Sequence, residues 1–216
     1  MRNVKVWSDP IGRPSRLAEL GLTEEILLQA VGQGKAAWAN CTENHPALYR
    51  GIVAWGEPIR SLRENLIPVG WKRYDEANLP FILNETENLA ITVATGDENT
   101  GRKERNPSTR SSKGTHTKAA IKNNALAHTL FGDIRKVNAR IARVMWMLLF
   151  HIDEKSLEVR CELSHPLGVG TDGRVDEWIE RVILSPIPFD GSPANISSNE
   201  PQTPNIDIDV KRRRSA

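Results

Sequence analysis

Positive charge concentrates in one part of this 216-residue sequence. Residues 101–143 contain eleven Lys and Arg but only two acidic residues, a net charge of +9, whereas residues 1–100 carry −3 and residues 144–216 carry −4. Basic side chains on a Gly-, Ser- and Thr-rich stretch suit contacts to phosphate groups, which position a nucleic acid without reading its sequence. The segment therefore indicates an anionic partner, either a nucleic acid or an acidic protein surface.

The candidate phosphate-contacting residues form two groups. The first group lies in a predicted loop and the helix after it: Arg102, Lys103, Arg105, Arg110, Lys113, Lys118 and Lys122. The second lies in the connection that follows: Arg135, Lys136 and Arg140. No aromatic residue interrupts the basic residues of the loop, so base stacking is not indicated there. A solvated, charged loop that binds no particular partner explains the same residues.

Acid–base chemistry would fall to the C-terminal part of the chain. His151 precedes a strand in which Glu158 and Glu162 alternate with apolar residues, and these three are the catalytic candidates if the protein is an enzyme. Ion pairs from these carboxylates to Arg160, or to Arg181 on a neighbouring strand, explain the same residues with fewer assumptions. The alternation itself predicts a strand with one solvated face.

Neither a metal nor a cofactor is expected from the sequence. Cys41 and Cys161 lie far apart, the five histidines are scattered, and no ligand spacing typical of zinc is present. No run approaches the roughly 20 apolar residues needed to span a bilayer, and the N-terminus has no signal-peptide core. We therefore expect a cytoplasmic protein without a membrane partner.

One peptide in the predicted helix suggests a protein partner. The five residues are Ala127, His128, Thr129, Leu130 and Phe131. The peptide resembles the pentapeptide by which many bacterial proteins dock on the replication sliding clamp, usually Gln-Leu-Ser/Asp-Leu-Phe. Leu130 and Phe131 match that pattern, whereas Ala127 stands at the Gln position. The resemblance implies a replication-associated partner bound by Leu130 and Phe131; packing of both residues in a helix core is the alternative.

The elements that must position these residues follow from the apolar pattern. Thr23 is a predicted N-cap for a first helix, a second helix spans about 47–67, and a third begins near 118. Strands are predicted at 81–83, 89–93, 144–150, 157–163 and 178–184. Runs of strands rather than strict alternation predict an α+β fold, with N-terminal helices packed on one face of a mostly antiparallel sheet of about five strands.

The same pattern predicts a single domain with appendages. Residues 1–22 form an extended lead-in, residues 23–185 form the domain, a mobile basic loop spans 96–117, and residues 186–216 form a disordered tail. The favoured function is a binding protein with a basic surface for nucleic acid or a nucleic-acid-associated complex. The alternatives are a protein-interaction module, toxin-like or regulatory, that docks through Leu130 and Phe131, and a small enzyme with an acid–base site.

Overall fold

The computed structural model describes residues 4–76, 78–131 and 144–189, and only the helical backbone at 127–131. Within these ranges the helices are α1 (Gly12–Glu19), α2 (Glu24–Ala39), α3 (Tyr49–Leu66) and α4 (Thr115–Phe131). The strands are β1 (Lys5–Trp7), β2 (Lys72–Glu76), β3 (Leu79–Asn84), β4 (Leu89–Thr95), β5 (Val144–Asp153), β6 (Glu158–Val169), β7 (Val175–Ile183) and β8 (Ile187–Pro188). The protein is therefore an α+β protein, as predicted.

All eight strands belong to one mixed sheet. Its order is β1-β7-β6-β5-β4-β3-β2, and β8 pairs with the start of β6. The pairs β1–β7 and β4–β5 are parallel, and the other pairs are antiparallel. The prediction of about five strands is too low. It missed β1, β2 and β8, which are either polar or only two to three residues long and so carry no alternating apolar pattern.

The first three helices share an apolar core with one face of the sheet. Leu17, Leu27 and Leu62 are almost completely buried there, together with Trp146 and Leu148 of β5. The prediction that Thr23 caps α2 is confirmed, because its side chain accepts a hydrogen bond from the backbone amide of Ile26.

Close contact between α2 and α3 depends on a glycine. A Cβ atom at Gly34 would lie 2.6 Å from the carbonyl oxygen of Ala54 and 2.7 Å from the ring of Pro58. Gly34 therefore weakens the intrinsic helix propensity of α2 but permits the two helices to approach. The helix α3 is continuous through Pro58 rather than divided there.

The segment predicted as an extended lead-in contains β1 and the helix α1. Asp9 accepts hydrogen bonds from the backbone amides of Ile11 and Gly12, which stabilise the start of that helix. Arg16 of α1 then forms an ion pair with Glu180 of β7, with 2.5 Å between Nε and Oε1. The ion pair and the pairing of β1 with β7 attach this N-terminal unit to the edge of the sheet.

The opposite face of the sheet carries α4. Ile121 of this helix packs against Met145, Met147 and Leu149 of β5 and against Trp178 of β7. Helices therefore lie on both faces of the sheet, and the prediction of helices on one face is wrong. Among the described residues, no helix has the length and apolar character needed to cross a membrane.

Candidate functional site

The segment that connects β4 to α4, residues 96–114, lies on the same face of the sheet as α4. We call it the cationic loop. Gly96, its first residue, forms a short antiparallel bridge with Thr109. The amide of Asp97 donates to the Ser108 carbonyl, and the amide of Arg110 donates to the Thr95 carbonyl. These hydrogen bonds close the loop at its base.

The first residue of β7 and the turn before it hold residues 109–113 of the loop. The amide of Thr109 donates to the carbonyl oxygen of Val175, and the Thr109 hydroxyl accepts from the Val175 amide. Four residues later, the amide of Lys113 donates to the carbonyl oxygen of Gly173. The loop thus continues along the start of β7 before α4 begins at Thr115.

A buried arginine lies under the middle of the cationic loop. The Arg181 side chain is 0% exposed, and its guanidinium donates to the carbonyl oxygens of Arg102 and Arg105 at 2.9 and 2.8 Å. The same guanidinium pairs with Glu162 through two hydrogen bonds of 3.0 and 2.6 Å. A guanidinium with five fixed N–H donors suits this role, because it can hold two loop carbonyls and a carboxylate at once.

The carboxylate of Glu162 balances the charge of that arginine and binds the loop itself. It accepts hydrogen bonds from the Ser164 hydroxyl at 2.6 Å and from the amide of Gly101 at 2.8 Å. Together with the two bonds from Arg181, these contacts occupy both carboxylate oxygens of a side chain that is 0% exposed. A buried charge is tolerated when it is paired and hydrogen-bonded in this way.

A second arginine holds the first half of the loop. Arg160 of β6 donates to the carbonyl oxygens of Thr100 and Glu98 at 3.1 and 3.0 Å. Its remaining nitrogen pairs with Asp153 at 2.8 Å and Glu158 at 2.9 Å. The hydrogen bond from Arg160, together with the amide of Ser156, lowers the pKa of Asp153.

Two further contacts fix the loop. The indole of Trp178 donates to the carbonyl oxygen of Pro107 at 2.8 Å. Gly101 adopts a positive φ of 73°, and a Cβ atom there would lie 2.9 Å from the Cβ of Arg160. Both the backbone conformation and the close approach to β6 therefore require glycine at this position.

The expected solvated face of β6 is covered by this loop. Arg160 is 7% exposed and Glu162 0% exposed, so the prediction of a half-solvated strand is wrong. Polar and apolar residues do alternate along β6, but Arg160 and Glu162 form hydrogen bonds with the loop and with β7 rather than with water. The predicted cross-strand pairing of the carboxylates with Arg181 is present for Glu162.

The three acid–base candidates lie on this face, and in the part of the chain that the structure describes each has a partner other than the remaining two. His151 pairs in register with Arg160, and its Nδ1 lies 3.3 Å from the carbonyl oxygen of Gly96. Glu158 contacts Arg160, and Glu162 is engaged by Arg181, so both carboxylates are occupied by arginines. The arrangement serves to hold the loop, and a catalytic role for these residues stays a prediction.

The basic residues of the first group are placed on the outer surface of this layer. Arg102, Lys103, Arg105, Arg110, Lys118 and Lys122 are exposed. Lys113 is half-buried, and burial lowers the pKa of its ammonium group. The segment predicted to be mobile thus follows a hydrogen-bonded path, and its last residues, 115–117, belong to α4. Its mobility in solution stays a prediction.

Several predicted residues fall outside the described part of the chain. Arg135, Lys136 and Arg140 lie in the range 132–143, and the side chains of Leu130 and Phe131 are not described although α4 extends to Phe131. Docking through Leu130 and Phe131 therefore stays a prediction. The predicted tail is described only up to residue 189, where it includes β8.

The anchoring residues were the part of the site that the sequence did not reveal. Arg181 was predicted only as a cross-strand ion-pair partner and Trp178 only as a member of a strand, although a charged residue within a largely apolar strand is a signal of a buried pair. Within the described ranges, no group of three His, Cys, Asp or Glu side chains is placed to hold a metal ion. Comparisons with protein-family models, with curated proteins and with solved structures found no match to this chain.

Proposed function

We propose that this protein binds nucleic acid through the surface formed by the cationic loop and α4. One observation carries the proposal: six exposed basic residues lie on the layer formed by the cationic loop and α4, and buried side chains of β6 and β7 hold the backbone of the loop. Exposed lysine and arginine side chains bind phosphate groups electrostatically and do not require a particular base sequence. Contacts to the phosphate backbone therefore dominate in this proposal, and sequence-specific recognition is not part of it.

The way in which the loop is anchored supports this function. Arg181 and Arg160 bind backbone carbonyl oxygens of the loop, so the side chains of Arg102 and Arg105 stay exposed while their carbonyls are held. A backbone that is already positioned loses less conformational entropy on binding than an unanchored segment does. The basic side chains are thus presented to a ligand without a large ordering cost for the loop backbone.

Salt dependence is the direct test. The affinity for a fluorescent DNA duplex of about 20 base pairs would be measured by anisotropy from 50 to 300 mM salt. If all six exposed basic residues contact phosphates, log K should fall against log salt with a slope of about −5. A slope near zero would show that phosphate contacts are not the basis of binding.

A matched pair of variants locates the surface. Changing Lys103, Arg105 and Arg110 together to Gln should reduce the slope by about 3, because three phosphate contacts are lost. The control changes Lys72, Arg73 and Lys155, exposed basic residues outside the cationic loop and α4, to Gln. Both variants remove three positive charges, so equal losses would show that net charge alone, and not this surface, drives binding.

A further inference from the structure

Strand β2 lies at the edge of the sheet. It is the last strand in the sheet order, and in the part of the chain that the structure describes it pairs with β3 alone. Tyr74, at its centre, is half-buried, and the other four residues of the strand are exposed. An edge strand presents backbone amide and carbonyl groups on its outer side, where another strand can pair with them.

The register with β3 shows which backbone groups of β2 point outward. Asp75 pairs with Pro80, and because proline has no amide hydrogen this pair cannot exchange two hydrogen bonds. In an antiparallel ladder, pairs that exchange hydrogen bonds alternate with pairs that do not. Tyr74 and its alternate neighbours are therefore hydrogen-bonded to β3, whereas the amides and carbonyls of Arg73 and Asp75 point to the outer edge.

The charges of β2 are self-complementary. Two basic residues precede Tyr74 and two acidic residues follow it. With Tyr74 opposite Tyr74 in an antiparallel pair of two copies, Lys72 lies opposite Glu76. Arg73 then lies opposite Asp75, and the outward backbone groups of these two residues can exchange two hydrogen bonds. Opposite charges in directly opposed positions stabilise a strand pair.

Other registers oppose like charges. A shift of one copy by two residues places Arg73 opposite Arg73 in one direction and Asp75 opposite Asp75 in the other. Parallel pairing in register places every charged residue opposite its own copy. Because like charges in opposed positions destabilise a strand pair, the charge pattern selects one antiparallel register. This register has the two-fold symmetry that is commonest among homo-oligomers.

The contacts that these side chains make within one chain do not prevent the pairing. Arg73 contacts Asp75 of its own strand, and Lys72 contacts Glu85 just after β3. All four side chains are at least 40% exposed, and exposed ion pairs contribute little to stability, so an exchange of partners costs little. Asp75 also contacts Arg63 of α3, which leaves its second oxygen to Arg73 of either copy.

We propose that the protein forms a two-fold symmetric dimer in which β2 pairs antiparallel with β2 of a second copy, centred on Tyr74. The pairing joins the two sheets into one continuous sheet. A pairing of five residues is a small interface, so the dimer forms at protein concentrations on the order of 100 μM. The proposal is independent of nucleic-acid binding, because β2 and the cationic loop share no residues. Lys72 and Arg73 belong to the control variant above, so the DNA titrations are made at protein concentrations far below this, where the protein is monomeric.

Charge reversal followed by mixing tests the proposal, with the dissociation constant measured by sedimentation equilibrium of the full-length protein. Lys72→Glu opposes two acidic residues in the dimer and Glu76→Lys opposes two basic residues, so each variant alone should dimerise at least tenfold more weakly than the wild-type protein. An equimolar mixture should regain the wild-type dissociation constant, because opposite charges face each other again in the heterodimer. The matched controls Lys155→Glu and Glu154→Lys reverse exposed charges outside β2 and should dimerise like the wild-type protein.

An engineered disulfide tests the register. Tyr74 lies on the two-fold axis, with about 4.5 Å between the Cα atoms of the two copies, a separation that a disulfide can span. Tyr74→Cys should therefore form a covalent dimer under mild oxidation. The two Lys72 Cα atoms are more than about 13 Å apart in the same register, so Lys72→Cys should stay monomeric. The native residues Cys41 and Cys161 are buried, and the oxidised wild-type protein gives the background.

Three results would overturn the proposal. The first is a wild-type protein that stays monomeric at several times the expected concentration. The second is a mixture of Lys72→Glu and Glu76→Lys that dimerises no better than either variant alone. The third is a covalent dimer of Lys72→Cys that is at least as abundant as that of Tyr74→Cys. Far-UV circular dichroism verifies that each variant stays folded, and regained dimerisation in the mixture cannot come from an unfolded variant.

Discussion

Replacing Glu162 by Gln should destabilise the protein, because Glu162 lies on the sheet face under the cationic loop and pairs there with Arg181. Glu162 and Arg181 are both 0% exposed, so the substitution leaves a buried guanidinium without its counter-charge. Breaking a buried pair by removing one partner typically costs about 3–5 kcal/mol. The Gln side chain retains the volume but keeps only one oxygen where the carboxylate accepted four hydrogen bonds. We therefore expect the free energy of unfolding to fall by about 3–5 kcal/mol.

Urea denaturation followed by circular dichroism measures that loss, and hydrogen exchange locates it. The amide of Gly101 donates directly to Glu162, so its protection should decrease first. The matched control is Glu158→Gln: the side chain of Glu158 is 30% exposed and contacts Arg160 at the start of β6. Because water reaches this carboxylate and Asp153 still pairs with Arg160, the loss should be no more than about 1 kcal/mol.

A double substitution separates anchoring from general disruption. Changing Glu162 to Leu and Arg181 to Met together removes both charges, so it should destabilise the protein less than Arg181→Met alone, which leaves the carboxylate unpaired. If Glu162→Gln costs less than about 1 kcal/mol, or if the loop amides exchange as slowly as before, the buried pair does not anchor the loop.

Three further substitutions test other contacts on this face. Trp178→Phe removes the indole donor from the Pro107 carbonyl, and should lower the free energy of unfolding by about 1–3 kcal/mol in urea titrations. Asn124→Ala removes three buried hydrogen bonds between α4 and the sheet, and should cost about 3 kcal/mol by the same measurement. The hydrogen bond from Arg160 lowers the pKa of Asp153 in the folded state. The ionised carboxylate therefore stabilises the protein at pH values above 3.8, the pKa of the unfolded state, and this contribution is lost as the pH falls from 3.8 through the lower pKa of the folded state. The urea midpoint of Asp153→Asn should therefore decline less than that of the wild-type protein below about pH 4.

The central strand was predictable because its pattern has one explanation. Residues 144–150 are all apolar, which is typical of a strand covered on both faces. The structure places Trp146 and Leu148 in the core under the first three helices, and Met145, Met147 and Leu149 in the core under α4. The same seven residues already implied a second covering layer, although the helices were assigned to one face.

The prediction that β6 has a solvated face was wrong for a physical reason. Alternating polar residues normally indicate a solvated face, and the rule fails when the polar groups find partners within the protein. Here the partner of Glu162 lies 19 residues along the chain, and its loop contact at Gly101 lies 61 residues away. No local pattern records such distant pairing, so the burial of this face could not be derived from the strand alone.

The path of the cationic loop is fixed through its backbone carbonyl oxygens, whereas its surface charge comes from its side chains. The buried arginines bind backbone carbonyl oxygens, including those of Arg102 and Arg105, and backbone groups are the same whatever side chain a residue carries. Substitutions of exposed basic side chains should therefore change ligand affinity without changing the loop path. Substitutions of Arg181 or Glu162 should instead alter the loop path and stability together, because both side chains are buried under the loop and bind its backbone. The two classes of variant must give separable effects, and a loss of stability on neutralising Lys103, Arg105 and Arg110 would contradict this account of the loop.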